Sequence, residues 1–132
     1  LTTEQVKSLY EATTQYEADQ SALAKRDRAI LSIFYDCGLR CNEGVQLNLS
    51  DVHLDNRLLH VQYAKGGQER FVPLSKATTK HLTSYIYDAR PSLIGADKTG
   101  ALLLSRNGKK TNGQALNRRL KYIQERIDDP VL

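Results

Sequence analysis

Partway along this chain the hydrophobic period switches from helical to two, and that switch constrains the fold more than any other feature. Ile30, Ile33, Phe34 and Cys37 recur at i, i+3, i+4 and i+7, the buried stripe of an amphipathic helix. From Arg57 to Tyr63 the pattern alternates instead. Leu59, Val61 and Tyr63 share one face, and Leu58, His60 and Gln62 the other. Asp51 to Leu54 reads as a short strand with Asp55-Asn56 as its turn. Lys65-Gly66-Gly67 reads as a hairpin connection, and Glu69 to Pro73 as the returning strand, with its proline at the end. The spacing therefore predicts an α+β fold, mainly α-helical, with a small three-stranded antiparallel sheet.

Helix signals surround that sheet. Thr2 and Gln5 form a capping box, with Leu1 and Val6 at the staple positions, for a helix predicted to run to about Tyr16. Glu17 to Gln20 reads as a connector. A second helix is predicted from about Ala22 to Cys37. Gly38 then sits where a left-handed C′ residue belongs, with Leu39 as C″ and Phe34 as its partner. Asn42 is the predicted cap of a short helix reaching about Leu47. Ser75 caps a fourth helix with Leu82, Tyr85 and Ile86 inward, predicted to end before Pro91. Ala101 to Leu104 reads as an edge strand or a buried extended segment, and Asn107-Gly108 as a turn. Thr111 or Asn112 opens a fifth helix carrying Leu116, Leu120, Ile123 and Ile127 on one face.

Composition narrows the class. With 132 residues the chain suits one domain or part of one. Lys plus Arg is 19 against 15 for Asp plus Glu, a net charge of +4 that permits a nucleic-acid partner without demanding one. No apolar run is long enough to span a membrane, and no signal peptide is visible. The chain starts at Leu1 and has no methionine, so it is expected to be a piece of a longer product. Cys37 and Cys41 lack a second ligand pair at zinc spacing and read as structural thiols, in keeping with a reducing, cytoplasmic setting.

Three groups of residues can carry chemistry. Arg40 follows the glycine-terminated helix and precedes the next helix N-terminus, a place that suits a fork-shaped donor to phosphate oxygens. Glu43 is placed to brace its side chain. The alternative is a surface Arg–Glu pair, worth little. Lys65 lies at a hairpin tip beside two glycines that let backbone approach a ligand closely; the alternative is a solvated lysine. Arg106, Lys109 and Lys110 lead into the fifth helix, whose polar face adds Arg118, Arg119 and Lys121. These side chains suit DNA phosphates, or form an ordinary solvated face. His53, His60 and His81 show no metal spacing.

The string G-L-R-x-x-E-x-x-x-L, a strand, then K-G-G-x-x-R-x-V-P-L resembles the opening active-site boxes of the tyrosine recombinase (phage integrase) family. Here it comprises Gly38-Leu39-Arg40, Glu43, Leu47, Lys65-Gly66-Gly67, Arg70, Val72, Pro73 and Leu74. The likeness is strong over Gly38 to Leu74 and looser from Leu1 to about Ile127. It implies that Arg40 binds the scissile phosphate, that Lys65 is general acid for the leaving 5′-oxygen, and that Glu43 supports Arg40. It implies double-stranded DNA and other recombinase protomers as partners, no cofactor, and a bacterial or phage-type cytoplasmic setting. The family's later H-x-x-R box is absent: His53, His60 and His81 are followed three residues on by Asn56, Tyr63 and Ser84. The resemblance thus makes residues 1–132 about the first two thirds of a catalytic domain, without the second arginine and the tyrosine nucleophile. The rival readings are a non-enzymatic DNA-binding or regulatory module that keeps the fold, and a helical protein–protein adaptor.

Overall fold

Local capping sets the first helix. The computed structural model describes residues 2–12, 21–62, 68–96 and 98–125. α1 (Thr3–Ala12) opens with the predicted reciprocal cap: the Gln5 N–H donates to Thr2 Oγ1 at 3.1 Å and the Thr2 N–H to Gln5 Oε1 at 2.8 Å. Leu1, the stretch from Thr13 to Gln20, Tyr63, the Lys65-Gly66-Gly67 tip, Ile127 and the C-terminal tail all lie outside the described residues. Leu9 docks α1 beside Leu31 and Ile123. The Tyr10 hydroxyl adds a polar tie, donating to Asp36 Oδ2 at 2.9 Å, an oxygen that also accepts from Thr78 Oγ1 at 2.9 Å.

The second helix departs from its prediction in an instructive way. α2 (Ser21–Leu31) is regular only to Leu31, and Ser32–Asp36 form a π-turn in which the Cys37 N–H reaches back to Ser32 O at 2.9 Å. Gly38 adopts the predicted left-handed conformation, φ +71°. The Leu39 N–H, however, bonds to Ile33 O at 3.2 Å rather than closing on Phe34. The extra residue held in the wide turn moves the acceptor one position back. Ile30 and Ile33 are buried as the stripe requires, and Phe34 and Cys37 pack at the margin.

A second π-turn corrects the predicted helix end before Pro91. α4 (Lys76–Ser84) begins at Ser75, whose Oγ accepts the Thr78 N–H at 3.1 Å. Tyr85–Ala89 then widen into π geometry, and α5 (Arg90–Leu93) continues the path with Pro91 in its first turn. There a proline's missing N–H is not needed, so the chain stays helical through a residue that usually stops it.

The sheet has the predicted order and sense, with shorter strands. β1 (Val52–His53), β2 (Leu58–Val61) and β3 (Arg70–Pro73) pair antiparallel in the order β1-β2-β3, with Leu59 opposite Val72 and Val61 opposite Arg70. The period of two is visible in the packing. Leu59, Val61 and Val72 face the core, whereas His60 stacks on Phe71 outside, ring centroids 4.5 Å apart.

Residues 101–104 are the buried extended segment, crossing beneath the helices. Leu102 donates to Leu47 O at 2.9 Å, and the buried Arg90 holds Ala101 O with its Nε at 3.1 Å. The buried Tyr85 hydroxyl donates to Leu102 O at 2.6 Å, and burial pushes its pKa up to about 12. α6 (Gly113–Gln124) starts at Asn112, whose side chain accepts the Ala115 N–H at 2.8 Å, and buries Leu116 and Ile123. The chain is thus mainly helical with one small antiparallel sheet.

Candidate functional site

Arg40 sits at a corner fixed from both sides. Before it, Gly38 turns the chain and the buried Leu39 clamps it. After it comes α3 (Cys41–Gln46), with Arg40 itself in the cap position at φ −78°, ψ 156°. The predicted cap, Asn42, lies inside the helix. The reason is the spacing to Glu43: a carboxylate three residues into a helix reaches back to the cap N–H, and Glu43 Oε1 accepts the Arg40 N–H at 2.8 Å. A guanidinium has no acceptor with which to complete the reciprocal bond. The side chain of this cap is exposed and makes no ion pair among the described residues.

Glu43 therefore braces the main chain of Arg40, where the sequence suggested bracing of the side chain. Its ion-pair partner is Arg70 on β3, with Nη1 2.5 Å from Oε2 and Nη2 3.2 Å from Oε1. Glu43 is only 5% exposed. The Arg70 hydrogen bonds hold its carboxyl below the usual carboxylate range, against burial and with help from the Arg40 N–H. Gly44 lets α3 close down on the core, because a Cβ there would overlap the Phe34 ring.

Lys65 lies outside the described residues; Val61 at the end of β2 and Arg70 at the start of β3 are paired on either side of it. Of the basic group, Arg106, Lys109, Lys110 and Arg118 are exposed, and Lys110 Nζ donates to Gln46 Oε1 at 3.2 Å. Arg119 is placed differently. It forms a two-point bridge to the buried Asp27, Nε to Oδ1 at 2.8 Å and Nη2 to Oδ2 at 2.7 Å, with its carbon 4.4 Å above the Tyr122 ring. Arg26, Arg106, Arg118 and Arg119 line a cleft of about 440 Å³ together with Leu104 and Tyr122. Arg40, Glu43 and Arg70 are not part of its wall.

Sequence reasoning overlooked two partners. Asp27 sits one helical turn before Leu31 and its neighbours, without a visible cue to its mate 92 residues on. Arg70 did leave a signal: it shares strand parity with Val72, so it points inward and needs a buried acceptor.

Among the described residues no helix is long and apolar enough to cross a membrane. The chain is 38% identical to tyrosine recombinase XerD of Staphylococcus epidermidis over 91 residues, covering 69% of this chain and 30% of that protein. The crystal structure of XerA recombinase superposes with a TM-score of 0.79 at 25% identity, covering 96% of this chain and 41% of that one. A λ integrase tetramer bound to a Holliday junction shares the fold at a TM-score of 0.64 and 14% identity, covering 96% of this chain and 33% of that one. The chain spans about a third of the length of the curated relatives it matches. The model of the phage integrase family matches residues 1–130, and with the Arg40 corner and three-stranded sheet described above, the chain belongs to that family.

Proposed function

We propose that this chain supplies the first two active-site boxes of a site-specific DNA recombinase that breaks and rejoins double-stranded DNA in the bacterial cytoplasm, working with further protomers on DNA. The observation that carries this reading is the Arg40 corner: an exposed guanidinium whose main chain is pinned by a buried, ionised Glu43. A donor whose main chain is fixed before the substrate arrives needs less reorganisation as charge develops on the nonbridging oxygens. In the complete enzyme a tyrosine oxygen attacks phosphorus, the bond to the 5′-oxygen breaks, and a 3′-phosphotyrosyl link forms. Lys65 gives the departing 5′-oxygen its proton, leaving a free 5′-hydroxyl. Arg106, Lys109, Lys110 and Arg118 contact flanking phosphates, and Arg119 belongs to this surface through the helix it secures.

The test is single-turnover cleavage of an ordinary substrate and of one with sulfur at the 5′-bridging position. Arg40→Ala removes one preorganised donor, which costs on the order of 3 kcal/mol, roughly a hundredfold or more in rate. Lys65→Ala loses a general-acid contribution of about a hundredfold or more. A thiolate leaves without a proton, so sulfur restores Lys65→Ala and leaves Arg40→Ala slow. Rescue of neither variant would make Lys65 a phosphate contact or a structural residue. Equal rescue of both would refute the division of labour.

A further inference from the structure

We propose that Arg70 is a positioning residue for Arg40, acting through Glu43, and that it ties the strand returning from Lys65 to the phosphate-binding corner. The inference rests on the reading of Arg40 just given. Glu43 receives three donors: two from the Arg70 fork and one from the Arg40 main chain. All three converge on a carboxylate withdrawn from solvent. An isolated buried carboxylate is unstable as an ion and either rotates towards water or takes up a proton. Without Arg70, Glu43 thus loses the reason to stay buried as an ion, and the Arg40 N–H loses its charge-assisted bond. The guanidinium would then swing from an unpinned origin.

The strand geometry explains why Arg70 is committed to this task. It opens β3 opposite Val61, on the inward side with Val72, while its neighbour Phe71 points out to His60. Lys65 lies five residues earlier in the sequence. One side chain therefore connects the corner holding Arg40 to β3, the strand that follows Lys65 in the sequence. A lysine in place of Arg70 keeps the charge but lacks the two-pronged fork.

The experiment is single-turnover cleavage by the complete recombinase carrying Arg70→Ala, Arg70→Lys, Arg40→Ala, Lys65→Ala or Arg40→Ala with Arg70→Ala. Each is assayed on phosphate, on a methylphosphonate and on the 5′-bridging sulfur substrate. A misplacement of about 1 Å costs on the order of a hundredfold, so Arg70→Ala should slow cleavage by roughly ten- to a hundredfold, and Arg70→Lys by less. The double variant should be no slower than Arg40→Ala alone, because both changes disable one device. A methyl group in place of a nonbridging oxygen removes the charge that Arg40 meets. It should therefore narrow the defects of Arg70→Ala and Arg40→Ala together and leave that of Lys65→Ala unchanged. Should Arg70→Ala melt below the assay temperature, Arg70→Lys carries the same comparison. Wild-type rates for the Arg70 variants, a multiplied defect in the double variant, or rescue by sulfur instead of methylphosphonate would overturn the proposal. Undiminished cleavage by Arg40→Ala would instead overturn the reading of Arg40 on which it rests.

Discussion

Two arginine–carboxylate pairs in this molecule have the same chemistry and opposite consequences. Asp27 and Arg119 join α2 to α6, and their side chains are 0% and 17% exposed. Glu43 and Arg70 join α3 to β3, and there the side chains are 5% and 41% exposed. In the first pair the fork meets the carboxylate end to end, and Arg26 crowds the same oxygen with Nη2 3.8 Å from Asp27 Oδ1. That guanidinium is committed to the fold. In the second pair the fork also spans both carboxylate oxygens, but Oε1 accepts a main-chain N–H as well. What it secures is a third group, Arg40, whose own guanidinium stays exposed. An arginine's availability to a ligand is therefore decided by where its carboxylate neighbour directs its lone pairs, and sequence proximity to that carboxylate is a poor guide.

The largest expected effect comes from breaking the buried pair. Asp27→Ala leaves Arg119 and Arg26 without their counter-charge in the interior and should destabilise the chain by about 3–5 kcal/mol, read from urea unfolding. A loss below 1 kcal/mol would mean that the bridge is replaceable by water, and the contrast drawn above would fail.

Next is the carboxylate at the corner. Glu43→Gln forfeits charge-assisted hydrogen bonds and should cost about 1.5–3 kcal/mol near neutral pH. The pH dependence has a definite sign. Arg70 depresses the folded-state pKa of Glu43, so the stabilisation is present above the unfolded-state value and is lost as pH falls through the lower folded one. Melting temperatures of wild type and Glu43→Gln should converge on acidification below the ordinary carboxylate range. A gap that widens in acid would reverse the assignment.

A smaller change should follow from Gly44→Ala, which pushes a methyl group into the Phe34 ring and should cost about 1–3 kcal/mol. Smallest of all, Arg118→Ala removes an exposed side chain and should move stability by less than about 0.5 kcal/mol. Equal losses from Asp27→Ala and Arg118→Ala would erase the distinction between a structural and an available arginine on α6.

Much of this architecture is legible in the chain because its signals are local. The Thr2–Gln5 box, the Gly38 corner, the Ser75 and Asn112 caps and the alternation around Leu59 each depend on residues within a few positions of one another. The π-turns at Ser32–Asp36 and Tyr85–Ala89 were not legible, since their sequences keep an ordinary helical pattern. The site divides along the same line. Arg40 and Glu43 are three residues apart and could be read together. Arg70 closes the same device from 27 positions away and Arg119 finds Asp27 from 92, distances over which periodicity carries no information.

Arg40 is proposed to be held for a DNA phosphate while Arg119 is held for the fold, and salt-dependent DNA binding measures that difference most directly. The affinity of the chain for a duplex is titrated against salt concentration for wild type, Arg40→Ala and Arg119→Ala, at a temperature where melting curves show all three folded. Each phosphate contact releases counterions, so losing one flattens the log–log slope by about one unit. Arg40→Ala is predicted to flatten it by that amount and Arg119→Ala to leave it unchanged. An unaltered slope for Arg40→Ala, or a flattened one for Arg119→Ala alone, would contradict the account.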